Sequence, residues 1–147
     1  MFKIMLALHL LTAIFAVGPL VHAATTASRG VRKSDGAAVA SSARLLRIYS
    51  IASVLVVIFG FALMSSKRGG HTVAQFSDTY IWLSLVLWAV AMGLIHGVLS
   101  IQLEKIGAKI TAQESVAPLT AKIAMAGGLV GVIFAVIVFL MVYRPGS

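Results

Sequence analysis

Four long apolar runs separated by short polar stretches dominate the chain. They cover residues 4–24, 45–65, 79–103 and 119–142. A helix needs about 20 mostly apolar residues to cross about 30 Å of hydrocarbon, so each run predicts one membrane span. The only charges inside these limits are Arg47 and Lys122. Each sits near a span end, where a long cationic side chain reaches the interface. The predicted fold class is all-α and integral to the membrane, with four transmembrane helices in one domain covering 1–147.

The connections are short. Loop one, Thr25 to Arg44, is small and polar. Loop two, Ser66 to Asp78, carries Lys67, Arg68, Gly69, Gly70 and His71. Its Gly-Gly pair lacks the flanking residues of a phosphate-binding loop. Loop three runs from Glu104 to Pro118. There Leu103, Ile106 and Ile110 recur at helical spacing, which predicts that the third helix continues for a few turns along the membrane surface. Pro118 suits the first turn of the fourth helix, where its missing N–H costs little.

The first run also has the layout of a secretory signal peptide: Lys3, then apolar residues, a Gly18-Pro19 break and Val21-His22-Ala23. Cleavage there would leave the highly basic loop one on the outer side, against its charge bias. The run is therefore expected to stay as the first span, with Gly18-Pro19 as a bend.

Composition agrees with a membrane protein. Hydrophobic residues make up 60% of the chain and charged ones 11%, against about 25% charged in soluble domains. With no cysteine, disulfides, thiolate catalysis and cysteine-ligated metals are excluded. The net charge of +8 would suggest nucleic acid in a soluble domain. Here the cations lie between apolar runs, so membrane topology accounts for them and no nucleic-acid partner is expected. Arg29, Arg32, Lys33, Arg44, Arg47, Lys105, Lys109 and Lys122 fall on one side, and Lys3, Lys67, Arg68 and Arg144 on the other. This bias predicts loops one and three cytoplasmic and both termini outside. Tyr80, Trp82 and Tyr143 then form an outer aromatic belt.

Two short matches suggest an internal repeat of parallel helical hairpins. Leu20-Val21-His22-Ala23 resembles Leu94-Ile95-His96-Gly97 at an offset of 74, and Val57-Ile58-Phe59-Gly60 resembles Val132-Ile133-Phe134-Ala135 at 75. Short apolar strings also match by chance. If the repeat holds, His22 and His96 are mates at one depth, roughly 27 and 26 Å along their helices. Intramembrane ionisable residues are functional candidates by default, and no Asp or Glu lies in any span. One reading makes His22 and His96 axial ligands of a haem b between helices, with Gly18, Gly93 and Gly97 leaving room for the macrocycle. The plainer reading has both imidazoles hydrogen-bonding across helices or to headgroups. His9 and Thr12 read as polar contacts between helices.

Small residues four apart let helix backbones approach closely in lipid. Ala89, Gly93 and Gly97 form one such row on the third helix, and Gly127, Gly131 and Ala135 another on the fourth. Such rows serve packing inside the bundle or docking onto another membrane protein. The basic positions Arg29, Arg32, Lys33, Arg44 and Arg47 set topology or attract anionic lipid. No catalytic motif is present, so the chain reads as a non-enzyme. A transporter of neutral substrates is a third option.

At MLALHLLTAIFAVGPL the first helix resembles a family of uncharacterised four-span bacterial integral membrane proteins. The layout is also similar to accessory subunits of the actinobacterial cytochrome bcc–cytochrome c oxidase supercomplex. That resemblance implies a structural, cofactor-free role beside other integral membrane subunits of a respiratory assembly, and it supplies no catalytic residues.

Overall fold

A computed structural model describes residues 1–147. It contains four long helices: α1, Phe2–Arg32; α2, Gly36–Met64; α3, Thr79–Thr111; and α4, Ala117–Tyr143. All four are long and apolar enough to cross a membrane. A two-stranded hairpin, β1 (Lys67–Arg68) with β2 (His71–Thr72), joins α2 to α3. The chain is a multi-pass membrane protein built as an all-α bundle.

Neighbouring helices pack in a ring. α1 packs on α2 and α4, and α3 packs on the same two, so α1 and α3 face each other diagonally. Both termini share one end with the hairpin: the Arg68 guanidinium lies 5.3 Å from the Phe2 ring, and Arg144 donates to the Val73 carbonyl at 3.1 Å. The other end holds the α1–α2 and α3–α4 turns. There a Cβ added at Gly36 would meet Ile110 at 3.5 Å.

The buried core belongs mainly to that second end. Leu20, Ala27, Val31, Val39, Leu103, Ile106 and Val116 are fully enclosed. At the terminal end Phe2–Thr12 contains no fully buried residue. At 1.5 Å per residue α1 is about 46 Å long and α3 about 50 Å, both longer than the hydrocarbon layer of about 30 Å. The turn end therefore projects into the headgroup region as a packed headpiece. Within lipid, apolar burial gains little because lipid tails are equally apolar. In the headpiece, water is the competing solvent, and burying a Val or Ile contributes about 1.5–3 kcal/mol.

Several expectations change here. The expected loop one is almost entirely helical, and only Lys33, Ser34 and Asp35 lie between α1 and α2. Its Ala, Ser and Thr residues are small enough to pack helix on helix, and Ala27, Val31 and Val39 enter the core. The turn itself is a Schellman motif. Ser34 takes φ 49°, its N–H donates to the Val31 carbonyl, and the Asp35 N–H donates to Gly30. Asp35 then caps α2, its carboxylate accepting from the Ala38 N–H at 3.1 Å.

The continuation of α3 does not lie along the membrane surface. Leu103 and Ile106 are buried in the core, and this segment packs on α2. Burial against a neighbouring helix removes its apolar face from both water and lipid.

α3 ends on the same cap as α1. Gln113 takes φ 56°, its N–H donates to Ile110, and the Glu114 N–H donates to Lys109. The two caps are 79 positions apart, Ser34 to Gln113. That register pairs His22 with Ile101 rather than with His96.

Helix α1 runs through Gly18-Pro19 with a π-helical turn, Ala13–Val17, just ahead of them. Proline lacks an N–H and crowds the carbonyl four residues back, and the wider turn makes room for it. A second π turn, Ile95–Leu99, lies in α3 and contains His96. The Ser100 N–H reaches back five residues to Ile95.

Candidate functional site

The polar groups inside the bundle gather on the α2–α3 seam. At the headpiece end Arg47 pairs with Glu104 at 2.6 Å. Both side chains are more than half exposed, at 63% and 58%, so the pair contributes no more than about 1 kcal/mol.

One turn further in, Ser50 faces His96, with Oγ and Nε2 2.9 Å apart. The single Ser50 hydroxyl proton goes to the Arg47 carbonyl at 2.9 Å. Ser53 repeats the arrangement. Its hydroxyl donates to the Ser50 carbonyl at 2.6 Å and accepts from Trp88 Nε1 at 3.1 Å. Each serine bonds a carbonyl of its own helix and faces one ring nitrogen of α3. The seam sets two ring nitrogens of α3 against α2 serines: Ser50 and Ser53 are buried, Trp88 is half-buried and His96 is exposed at the bundle surface.

His22 is exposed on α1, and its carbonyl accepts from the Thr25 and Thr26 hydroxyls. His22 and His96 lie on diagonal helices. The interior beside them is filled by Leu20, Ile95, Leu99 and Val130, all fully buried. No group of three or more His, Cys, Asp or Glu is placed to hold a metal ion. His9 does bond between helices, donating from Nδ1 to the Val56 carbonyl at 3.0 Å beside Gly60. Thr12 does not: its hydroxyl donates to Leu8 within α1.

The two rows of small residues part company. On α4, Gly127 is buried against α1, where a Cβ would overlap the Ala24 carbonyl. At Gly131 a Cβ would meet the Thr25 methyl at 3.1 Å. Ala135 leaves this contact and is exposed. On α3, Ala89, Gly93 and Gly97 are all exposed, and nothing lies within 4 Å of a Cβ added at either glycine. On α4, Gly127 and Gly131 pack against α1, whereas the whole α3 row faces outward.

The cations divide as well. Arg29, Arg32, Lys33, Arg44, Lys105 and Lys122 are exposed and make no ion pair, whereas Arg47 and Lys109 are held by Glu104 and Glu114. Lys122 stands at one end of an open groove on α4 lined by Met125, Ala126 and Leu129. In the aromatic belt, Trp82 and Tyr143 are exposed as expected, but Tyr80 is buried. It turns inward because its hydroxyl accepts from Arg144 at 2.8 Å, with the guanidinium over its ring.

Ser50, Ser53, Trp88 and Glu104 were not singled out in the sequence. The one signal was Ser-x-x-Ser in an apolar run, which puts both hydroxyls on one helix face.

Fold and seam define a polytopic four-helix membrane protein with a polar seam between α2 and α3. Comparison with known proteins finds no matching family, no similar curated protein and no similar solved structure.

Proposed function

We propose that the chain is a non-catalytic accessory subunit of a larger membrane assembly, and that it binds other integral membrane subunits through α3. The observation that carries this reading is the outward row Ala89, Gly93 and Gly97. Its counterpart on α4 closes against α1, while this one is left open for another helix. The resemblance of the first helix and the four-span layout favour a respiratory-chain assembly in a bacterial plasma membrane. The charge bias favours both termini outside and loops one and three in the cytoplasm.

The experiment is purification of the full chain in mild detergent, with identification of what accompanies it and an absorption spectrum of the preparation. The expected result is stoichiometric recovery of integral subunits with cytochrome bands. Gly93→Leu should release those subunits while the chain itself stays folded, because the position is open. A solitary monomer with no accompanying subunits overturns the proposal. Haem that remains with the isolated chain, and is lost from His96→Ala, would favour the electron-carrier alternative instead.

A further inference from the structure

We propose that the headpiece end binds anionic phospholipid, with a defined site on α4 where Lys122 receives the headgroup and the groove beyond it receives an acyl chain. This rests on charge and placement at that end, independently of the subunit role above.

Eight cations and three carboxylates lie at this end: Arg29, Arg32, Lys33, Arg44, Arg47, Lys105, Lys109 and Lys122 against Asp35, Glu104 and Glu114. Each carboxylate is already engaged. Asp35 caps α2, Glu104 holds Arg47 and Glu114 holds Lys109. Six exposed cations are left with no acidic partner in the chain. A concentrated positive surface at a membrane interface attracts anionic headgroups and gains little from zwitterionic ones.

The groove narrows the choice of anion. Lys122, Met125, Ala126 and Leu129 follow one another at helical spacing along one face of α4. From Lys122 to Leu129 the face runs about 10 Å along the helix. Lys122 lies close to the start of the apolar run, so the groove leads from the interface into the hydrocarbon. Met125 and Leu129 are 75% and 49% exposed. A soluble anion meets the cation and leaves this apolar strip in contact with lipid tails. A phospholipid fills both parts with one molecule.

The test is native mass spectrometry of the full chain in non-ionic detergent, given equal amounts of phosphatidylglycerol and phosphatidylcholine with matched acyl chains. Wild type should retain phosphatidylglycerol preferentially. Lys122→Gln should weaken retention of the tightest phosphatidylglycerol about fivefold, the effect of one nearby cation. Lys122→Arg should restore it. R29Q/R32Q/K33Q should lower the number of bound phosphatidylglycerol molecules. K67Q/R68Q, at the opposite end, should leave the tightest one in place. All these positions are exposed, and an unchanged circular dichroism melt confirms that each variant is folded. Equal retention of the two lipids by wild type overturns the proposal. So does a Lys122→Gln profile matching wild type. Displacement of phosphatidylglycerol by an equal concentration of glycerol phosphate also overturns it, because the groove would then contribute nothing.

Discussion

At the scale of single residues, glycines of identical composition have opposite duties. Gly127 and Gly93 are both mid-helix, and each belongs to a row of small residues four apart. A methyl group at Gly127 would overlap the Ala24 carbonyl, which belongs to backbone and cannot rotate away. A methyl group at Gly93 would meet nothing within 4 Å. Gly127→Ala should therefore push α1 and α4 apart and destabilise the isolated protein by about 1–3 kcal/mol, the usual range for overpacking. Gly93→Ala should leave the melt of the purified protein unchanged or slightly raised, since Ala is the better helix former. Thermal melts of both variants in one detergent check this. A Gly127→Ala protein as stable as wild type would mean that α1 and α4 do not approach as described. The rows themselves were legible in the sequence, but the direction each faces was not. A row's orientation depends on which neighbour its helix chooses, and spacing along one helix carries no information about that choice. The same limit hid the seam. His96 was legible as a polar group in an apolar run, but its partner Ser50 is 46 residues away on another helix.

At the scale of elements, the apolar runs located all four helices but understated their lengths. Hydropathy falls where a span leaves the hydrocarbon, whereas helical hydrogen bonding continues for as long as packing supports it. Residues 25–32 of α1 and 36–44 of α2 read as loop because they are small and polar. They remain helical because Ala27, Val31 and Val39 bury one face of each segment. What stops α1 and α3 is a left-handed cap at Ser34 and Gln113, and neither is a glycine. A side chain in that conformation strains the backbone by about 1–2 kcal/mol, a strain glycine avoids. Glycine also loses more freedom on folding, which offsets part of the gain. Ser34→Gly and Gln113→Gly should each stabilise the protein by about 1 kcal/mol at most. The two turns touch, since a Cβ added at Gly36 would meet Ile110, so any departure of the double variant from the sum of the singles measures the coupling between them. Melting temperatures of the two single variants and the double variant check this. A loss of stability in either would mean that its side chain makes a compensating contact at the turn.

At the scale of the whole molecule, the four helices put both termini and the β-hairpin at one end and the two tight turns at the other. This arrangement follows from an even number of spans and is reinforced by Arg68 on Phe2 and Arg144 on Val73. Which end faces the cytoplasm is a separate question, decided by charge during insertion. The turn end carries eight Lys and Arg and the terminal end four. All of them lie in short connections or near span ends, where the bias orients a membrane protein most strongly. The chain lacks cysteine, so a single introduced thiol reports its own side without background. Ser34→Cys and Ser115→Cys place a thiol in each exposed turn, and Gly70→Cys places one at the tip of the hairpin. In intact cells a membrane-impermeant thiol reagent should label Gly70→Cys and spare the other two until the membrane is opened. Reversing the charge asymmetry tests the cause. Neutralising Arg29, Arg32, Lys33 and Arg44 together while adding lysines to the hairpin should convert a measurable fraction of the protein to the opposite labelling pattern. If Ser34→Cys and Ser115→Cys are labelled in intact cells and Gly70→Cys is not, the orientation is inverted. The cationic headpiece would then face outward, and its charge would serve lipid binding without setting the topology.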